Sequence, residues 1–219
     1  GSMALLKGVA SFISLNPNVT QDDFATFSST LIQEHPQIRN IGAAPDLVIQ
    51  LMYPIAGNEK AVGLDYRKTP LQWKAVERVV KTGVMALAGP IDLVQGGTGL
   101  IGRIPVYEGG NTGPFWGIVS GVIDMPSVYR IAGIFNPALA LDLKIQGKDG
   151  LGSEGDFFYG QKTDLDNEAI SLKVSVPNGE WVLLATPKGG WQTTHPDRQL
   201  YLFPTTTIVL MLNILTFMF

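Results

Sequence analysis

A chain of 219 residues with 16 Lys/Arg against 19 Asp/Glu carries a formal charge of −3 and shows no basic cluster, which excludes a nucleic-acid partner that needs concentrated positive charge. Cysteine is absent, so disulfides, thiolate nucleophiles and Cys-based metal sites are removed together. With 45% apolar and 16% charged residues, where an average domain has about 25% charged, the length suffices for one large domain or two small ones with a real core.

Gly1-Ser2-Met3 reads as a tag-cleavage scar before a cloned start and is set aside. Ala4 to Leu15 is expected to be the end of a helix, stopped by the turn signal Asn16-Pro17-Asn18. A cleaner helix follows. Thr20 is its candidate N-cap with Asp23 three residues on, Phe24, Phe27, Leu31 and Ile32 share one face, and His35-Pro36 ends it. Asp46 to Tyr53 reads as a buried strand closed by Pro54, and Ala61 to Tyr66 as its successor after the Gly57-Asn58 turn.

Thr69-Pro70-Leu71-Gln72 is the clearest local signal: an N-cap Thr, Pro at the first helical position and Gln at the capping-box position. The helix should bury Leu71, Ala75, Val76, Val79 and Val80, expose Lys74, Glu77, Arg78 and Lys81, and end at Gly83. Strands are expected over Val84 to Leu87, Leu100 to Tyr107 and Trp116 to Asp124, then a short helix from Met125-Pro126 to about Phe135. Ala138 to Gln146, Asp156 to Gly160, Ile170 to Val176 and Glu180 to Thr186 read as further strands, the last two joined by the hairpin turn Pro177-Asn178-Gly179. Strands outnumber helices and pair as hairpins, so the fold class is α+β with antiparallel sheets, in two modules divided near residue 126. The final run, Ile208 to Phe219, has no charge and only Asn213 and Thr216 polar; it is too short to span a bilayer and reads either as a buried C-terminal helix or strand or, the favoured expectation, as the first half of a truncated transmembrane helix.

Gly97-Thr98-Gly99-Leu100-Ile101-Gly102 fits G-x-G-x-x-G, but a pyrophosphate site needs a helix opening at the motif. Here the motif runs into Arg103-Ile104-Pro105-Val106-Tyr107, a strand, so the glycines are expected to serve a turn with positive φ. His35 and His195 each precede a proline and have no ligand cluster, so no metal site is expected. The nearest approach to G-x-S-x-G, Val119-Ser120-Gly121, lies inside a strand, and no catalytic residue is assigned. Arg103 has two readings. Turned inward it must meet an anion or several acceptors; turned outward it pairs with a neighbour such as Glu108.

The blocks Asn40-Ile41-Gly42-Ala43-Ala44-Pro45, Tyr53-Pro54, Gly57-Asn58-Glu59 and Gly63-Leu64-Asp65-Tyr66 resemble the opening of the CHASE domain. In the same order follow Lys81-Thr82-Gly83, Ala88-Gly89-Pro90, Leu93-Val94-Gln95-Gly96-Gly97 and Arg103-Ile104-Pro105-Val106-Tyr107, and then Pro177-Asn178-Gly179-Glu180-Trp181 and Pro187-Lys188-Gly189-Gly190-Trp191. The resemblance covers roughly residues 20 to 200.

It implies a receptor ectodomain held between two transmembrane helices on the extracytoplasmic (periplasmic) side of an inner membrane, and not an enzyme. The implied organisation is stalk and entry helices over 4–35, a membrane-distal PAS-like ligand-binding module over 36–125, a proximal PAS-like module over 126–203 and the start of a transmembrane helix over 204–219. Outputs joined to such domains are histidine kinases and cyclic-di-GMP enzymes, acting as homodimers, and no cofactor is implied. Relatives that bind cytokinin use Asp, Leu and Thr where this chain has Gln72, Val94 and Arg103, which argues against that ligand. The implied pocket comprises Tyr66, Gln72, Trp73, Ala88, Val94, Gln95 and Arg103, and an inward Arg103 would favour a small anion such as a carboxylate. The competing expectation is a protein-interaction or structural ectodomain without a small-molecule ligand.

Overall fold

The computed structural model describes residues 2–93, 96–161 and 168–191. Val94, Gln95, His195 and the apolar run 208–219 lie outside the described residues. The chain divides into two compact units, Gly1–Met125 and Pro126–Phe219, and both sheets are antiparallel, so the class is α+β. Among the described residues no helix is long and apolar enough to cross a membrane.

The first unit opens with helices α1 (Ser2–Leu15) and α2 (Gln21–Gln33). Thr20 caps α2 as its sequence position predicts: its hydroxyl oxygen accepts the Asp23 N–H at 3.2 Å and its O–H donates to the Asp23 carboxylate at 2.7 Å. Five strands follow, β1 (Ile38–Pro45), β2 (Leu51–Tyr53), β3 (Ala86–Asp92), β4 (Thr98–Tyr107) and β5 (Phe115–Asp124), in the order β2-β1-β5-β4-β3. Helix α3 (Pro70–Thr82) lies between β2 and β3 in sequence and ends at Gly83, whose φ of 66° lets its N–H reach Val79 O.

Several expectations need correction. Asp46 to Tyr53 is not one strand, because Asp46 and Leu47 take left-handed backbone (φ 44° and 65°) and pairing resumes only at Leu51. The true strand is β1, which is buried on both faces and therefore shows no alternation to read. The expected strand Ala61 to Tyr66 is instead a loop between 3-10 turns at Glu59–Ala61 and Tyr66–Lys68, tied back through Gly63 N to Ile49 O and Tyr66 N to Leu47 O. The strand expected over Val84 to Leu87 begins later, at Ala86, and runs to Asp92 along an edge of the sheet. In α3 the buried stripe runs through Trp73, Val76, Val79 and Val80, while Leu71 is 94% exposed. Arg78 is half-buried and donates to Leu87 O at 3.1 Å, so it is not part of a solvated face.

Period-2 alternation splits the sheet into two faces. On one, α1 packs so closely that a Cβ at Gly121 would stand 2.5 Å from Leu6, and one at Gly102 would stand 2.9 Å from it. These two glycines are paired partners across β4 and β5. Their missing side chains are what admit Leu6, which is fully buried. On the other face lies the cluster of Ala44, Met52, Tyr66, Val76, Val79, Ala86 and Ile118 that includes residues of α3.

The second unit carries helix α4 (Met125–Ile131, starting at the boundary) and strands β6 (Leu141–Gln146), β7 (Phe157–Tyr159), β8 (Ile170–Val176) and β9 (Gly179–Pro187). Their order is β7-β6-β9-β8. The Pro177-Asn178-Gly179 turn closes the β8–β9 hairpin as expected, with Asn178 at φ 55°. Trp181 is buried and meets Phe158 edge-on at 5.1 Å, and the Tyr129 ring of α4 lies 4.9 Å from that of Tyr159.

Candidate functional site

The register that sends Gly102 and Gly121 towards α1 sends their neighbours Arg103 and Ser120, also directly paired, to the opposite face. Arg103 therefore points inward. It is 1% exposed, and its Nη2 donates to Gln72 Oε1 of α3 at 2.7 Å. Its guanidinium carbon also lies 5.5 Å from the centre of the Tyr66 ring, within cation–π range. The Tyr66 hydroxyl is in turn 3.0 Å from Ser120 Oγ. Gln72 thus serves Arg103 rather than a capping box, and Thr69 makes no cap bond of its own: its hydroxyl donates to Asp65 O.

These groups adjoin a cavity of about 50 Å³ walled by residues of all five strands, α3 and the loop between β2 and α3. Tyr66, Gln72 and Ser120 line it, with Asn40 on β1, whose amide donates to Asn58 Oδ1 at 2.7 Å. Ile91, Leu93, Ile101 and Val122 form an apolar part of the wall and pack as a cluster of their own. Asp92 also lines the cavity, from an exposed position near the end of β3. A larger hollow of about 810 Å³ between the end of α1 and α2 is an open groove and contains none of the site residues expected from the sequence.

Of the expected site residues, the fold brings Tyr66 and Gln72 each against Arg103. Ala88 lies on the same sheet face, opposite Ile101, but is not a cavity wall. Trp73 is half-buried against the hydrophobic cluster rather than the cavity. Val94 and Gln95 fall outside the described residues. Sequence reasoning missed Asn40, Asn58 and Ser120, all buried polar residues. Ser120 did leave a signal: a lone hydroxyl within an apolar strand needs a buried partner. Gly97 has the positive φ expected of a turn, 78°, whereas Gly99 and Gly102 are extended strand residues. Among the described residues no cluster of His, Cys, Asp and Glu could hold a metal.

Such an arrangement can bind an anion without doing chemistry on it. Arg cannot shed its charge, and a carboxylate is a stronger acceptor for it than an amide.

Residues 46–159, more than half of the chain, match the family described as the CHASE domain. No curated protein matches the sequence. Among solved structures, an extracellular ligand-binding receptor from Desulfohalobium retbaense is similar with a TM-score of 0.64 at 15% identity, over 83% of this chain. The chain spans only 36% of that receptor. The ligand-binding domain of the Pseudomonas aeruginosa amino acid chemoreceptor PctC, in complex with GABA, gives 0.61 at 14% identity, over 84% of this chain and 89% of that one. That of the Pseudomonas fluorescens chemoreceptor CtaA, in complex with L-isoleucine, gives 0.58 at 13%, over 86% and 84%. At these identities the likeness is one of fold.

Proposed function

The chain belongs to the CHASE domain family, and from that premise we propose that it is the extracytoplasmic (periplasmic) small-molecule sensing domain of a transmembrane receptor, acting by binding and not by catalysis. The observation that carries this reading is Arg103, a fixed positive charge 1% exposed, held beside a cavity by Gln72 and Tyr66. Its ligand is a small anion, a carboxylate for choice, taken up in the membrane-distal, PAS-like first unit. Binding biases α3 and the loop around Tyr66 between two arrangements. Flanking transmembrane helices carry the change to a histidine kinase or cyclic-di-GMP output in a homodimer. Amino acids bound by fold relatives such as PctC and CtaA lend support, because each carries a carboxylate.

One observation favours a second reading. A cavity of about 50 Å³ is far below the roughly 300–1,000 Å³ of drug-sized pockets, as in an ectodomain that binds a protein partner and no small molecule. A thermal-shift screen against amino acids, organic acids and purines separates the two. A ligand at 100 times its Kd adds about 2.7 kcal/mol of stability; silence across the screen supports the second reading.

A further inference from the structure

We propose that the cavity of the first unit takes a short aliphatic monocarboxylate and that Gln72 is the ligand's internal stand-in on Arg103; this rests on the reading of the domain as an anion sensor. Size comes first. At about 10–15 Å³ for each water-sized occupant, a cavity of about 50 Å³ holds a handful of heavy atoms. A carboxylate with a tail of one to three carbons fits, and a purine or a large amino acid does not.

Shape and polarity agree with that size. The Arg103/Ser120 pair and the Ile101/Val122 pair are successive same-face pairs of the β4–β5 ladder, about 7 Å apart along the strands. The first pair, with Tyr66 and Gln72, offers hydrogen bonds; the second, with Ile91 and Leu93, offers only apolar surface. A carboxylate headed at Arg103 thus lays its tail on Ile101 and Val122.

Charge narrows the class further. An α-ammonium would sit beside the Arg103 guanidinium, like against like, while apolar surface would strip its water. A second carboxylate on the ligand is disfavoured too: beyond Arg103 the tail meets Ile91, Leu93, Ile101 and Val122, apolar surface that would strip a charge of its water without pairing it.

Gln72 completes the case. Its Oε1 holds Arg103 Nη2 at 2.7 Å and, unlike Arg103, it lines the cavity, so it occupies the place a ligand oxygen would take. A carboxylate meets a guanidinium as an ion pair and can engage it through two oxygens, which a single amide oxygen cannot, and the exchange releases the first turn of α3, where Gln72 sits two residues after Pro70.

The test is calorimetric titration of the wild-type protein, Gln72→Glu and Gln72→Ala with acetate, propionate, butyrate, succinate, alanine and 4-aminobutyrate, each variant first shown to melt cooperatively. The wild type should bind propionate or butyrate at least tenfold more tightly than succinate, alanine or 4-aminobutyrate. Gln72→Glu places a tethered carboxylate on Arg103 and should weaken binding at least tenfold, whereas Gln72→Ala should bind as tightly as the wild type or better. Preference for succinate or either amino acid, or a Gln72→Glu protein that binds like the wild type, overturns this inference and leaves the sensor reading standing. Binding of none of the six by the wild type overturns the inference; failure of the broader ligand screen as well would take the sensor reading with it.

Discussion

Tyr66 and Ser120, from a 3-10 turn and a central strand, meet through their hydroxyls at 3.0 Å in the interior of the first unit. The same tyrosine ring flanks Arg103, so one side chain both satisfies a buried hydroxyl and holds a buried cation in place. Tyr66→Phe keeps the ring and removes the bond. Leaving Ser120 buried without it should cost about 1–3 kcal/mol, read as a lowered urea midpoint with an unchanged m-value. Tyr66→Phe/Ser120→Ala should recover most of that loss.

The close approach of α1 to the sheet yields a steric prediction. Gly121→Ala drives a methyl into Leu6, where the available distance is 2.5 Å, and overpacking of this kind costs about 1–3 kcal/mol. Gly8→Ala is the control. A Cβ there meets nothing within 4 Å, and within α1 the change should stabilise by about 0.5–1 kcal/mol. Chemical denaturation of the two variants should therefore move in opposite directions.

Gln21 closes the exposed edge of the sheet. Its amide donates to Met52 O at 2.9 Å and accepts from Met52 N at 3.1 Å, imitating a further strand. Gln21→Ala should cost about 1–2 kcal/mol and speed hydrogen exchange at the Met52 amide. Gln21→Glu keeps only the acceptor and should retain that amide's protection while losing part of the stability.

Acid sensitivity should be traceable to Asp65. Arg67 donates to its carboxylate at 2.9 Å and holds its pKa below the ordinary value of the group. A carboxyl lowered in the folded state contributes stability that is fully present above its unfolded pKa, about 3.9, and is lost as the pH falls through the folded value. The difference in unfolding midpoint between wild type and Asp65→Asn should hence be present at pH 6 and shrink below about pH 4. A difference that persists unchanged at pH 3 contradicts the assignment.

How much of this was legible in the sequence depended on whether the signal was local. Caps and turns were: Thr20 with Asp23, Pro70 and Gly83 around α3, and Asn178-Gly179 in the last hairpin each act through their own backbone neighbours. Strand β1 was not, because Gly42, Ala43 and Ala44 are buried on both sides and give neither alternation nor bulk. Arg103 illustrates the limit most clearly. Its strand was evident, but its direction was decided by register with Ser120 and by Gln72, 31 residues away in sequence. The polar lining from Asn40 and Ser120 comes together through the pairing of β1 with β5, strands far apart in sequence, which no short window of sequence contains.

The most direct test of the central claim is the affinity of Arg103→Met for whichever carboxylate the wild type binds, measured by titration calorimetry after its melting transition confirms folding. Methionine keeps much of the side chain's volume and removes the charge. Losing one partner of a buried charge pair costs about 2–5 kcal/mol, so affinity should fall at least ~30-fold. An Arg103→Met protein that binds the carboxylate as tightly as the wild type contradicts the account.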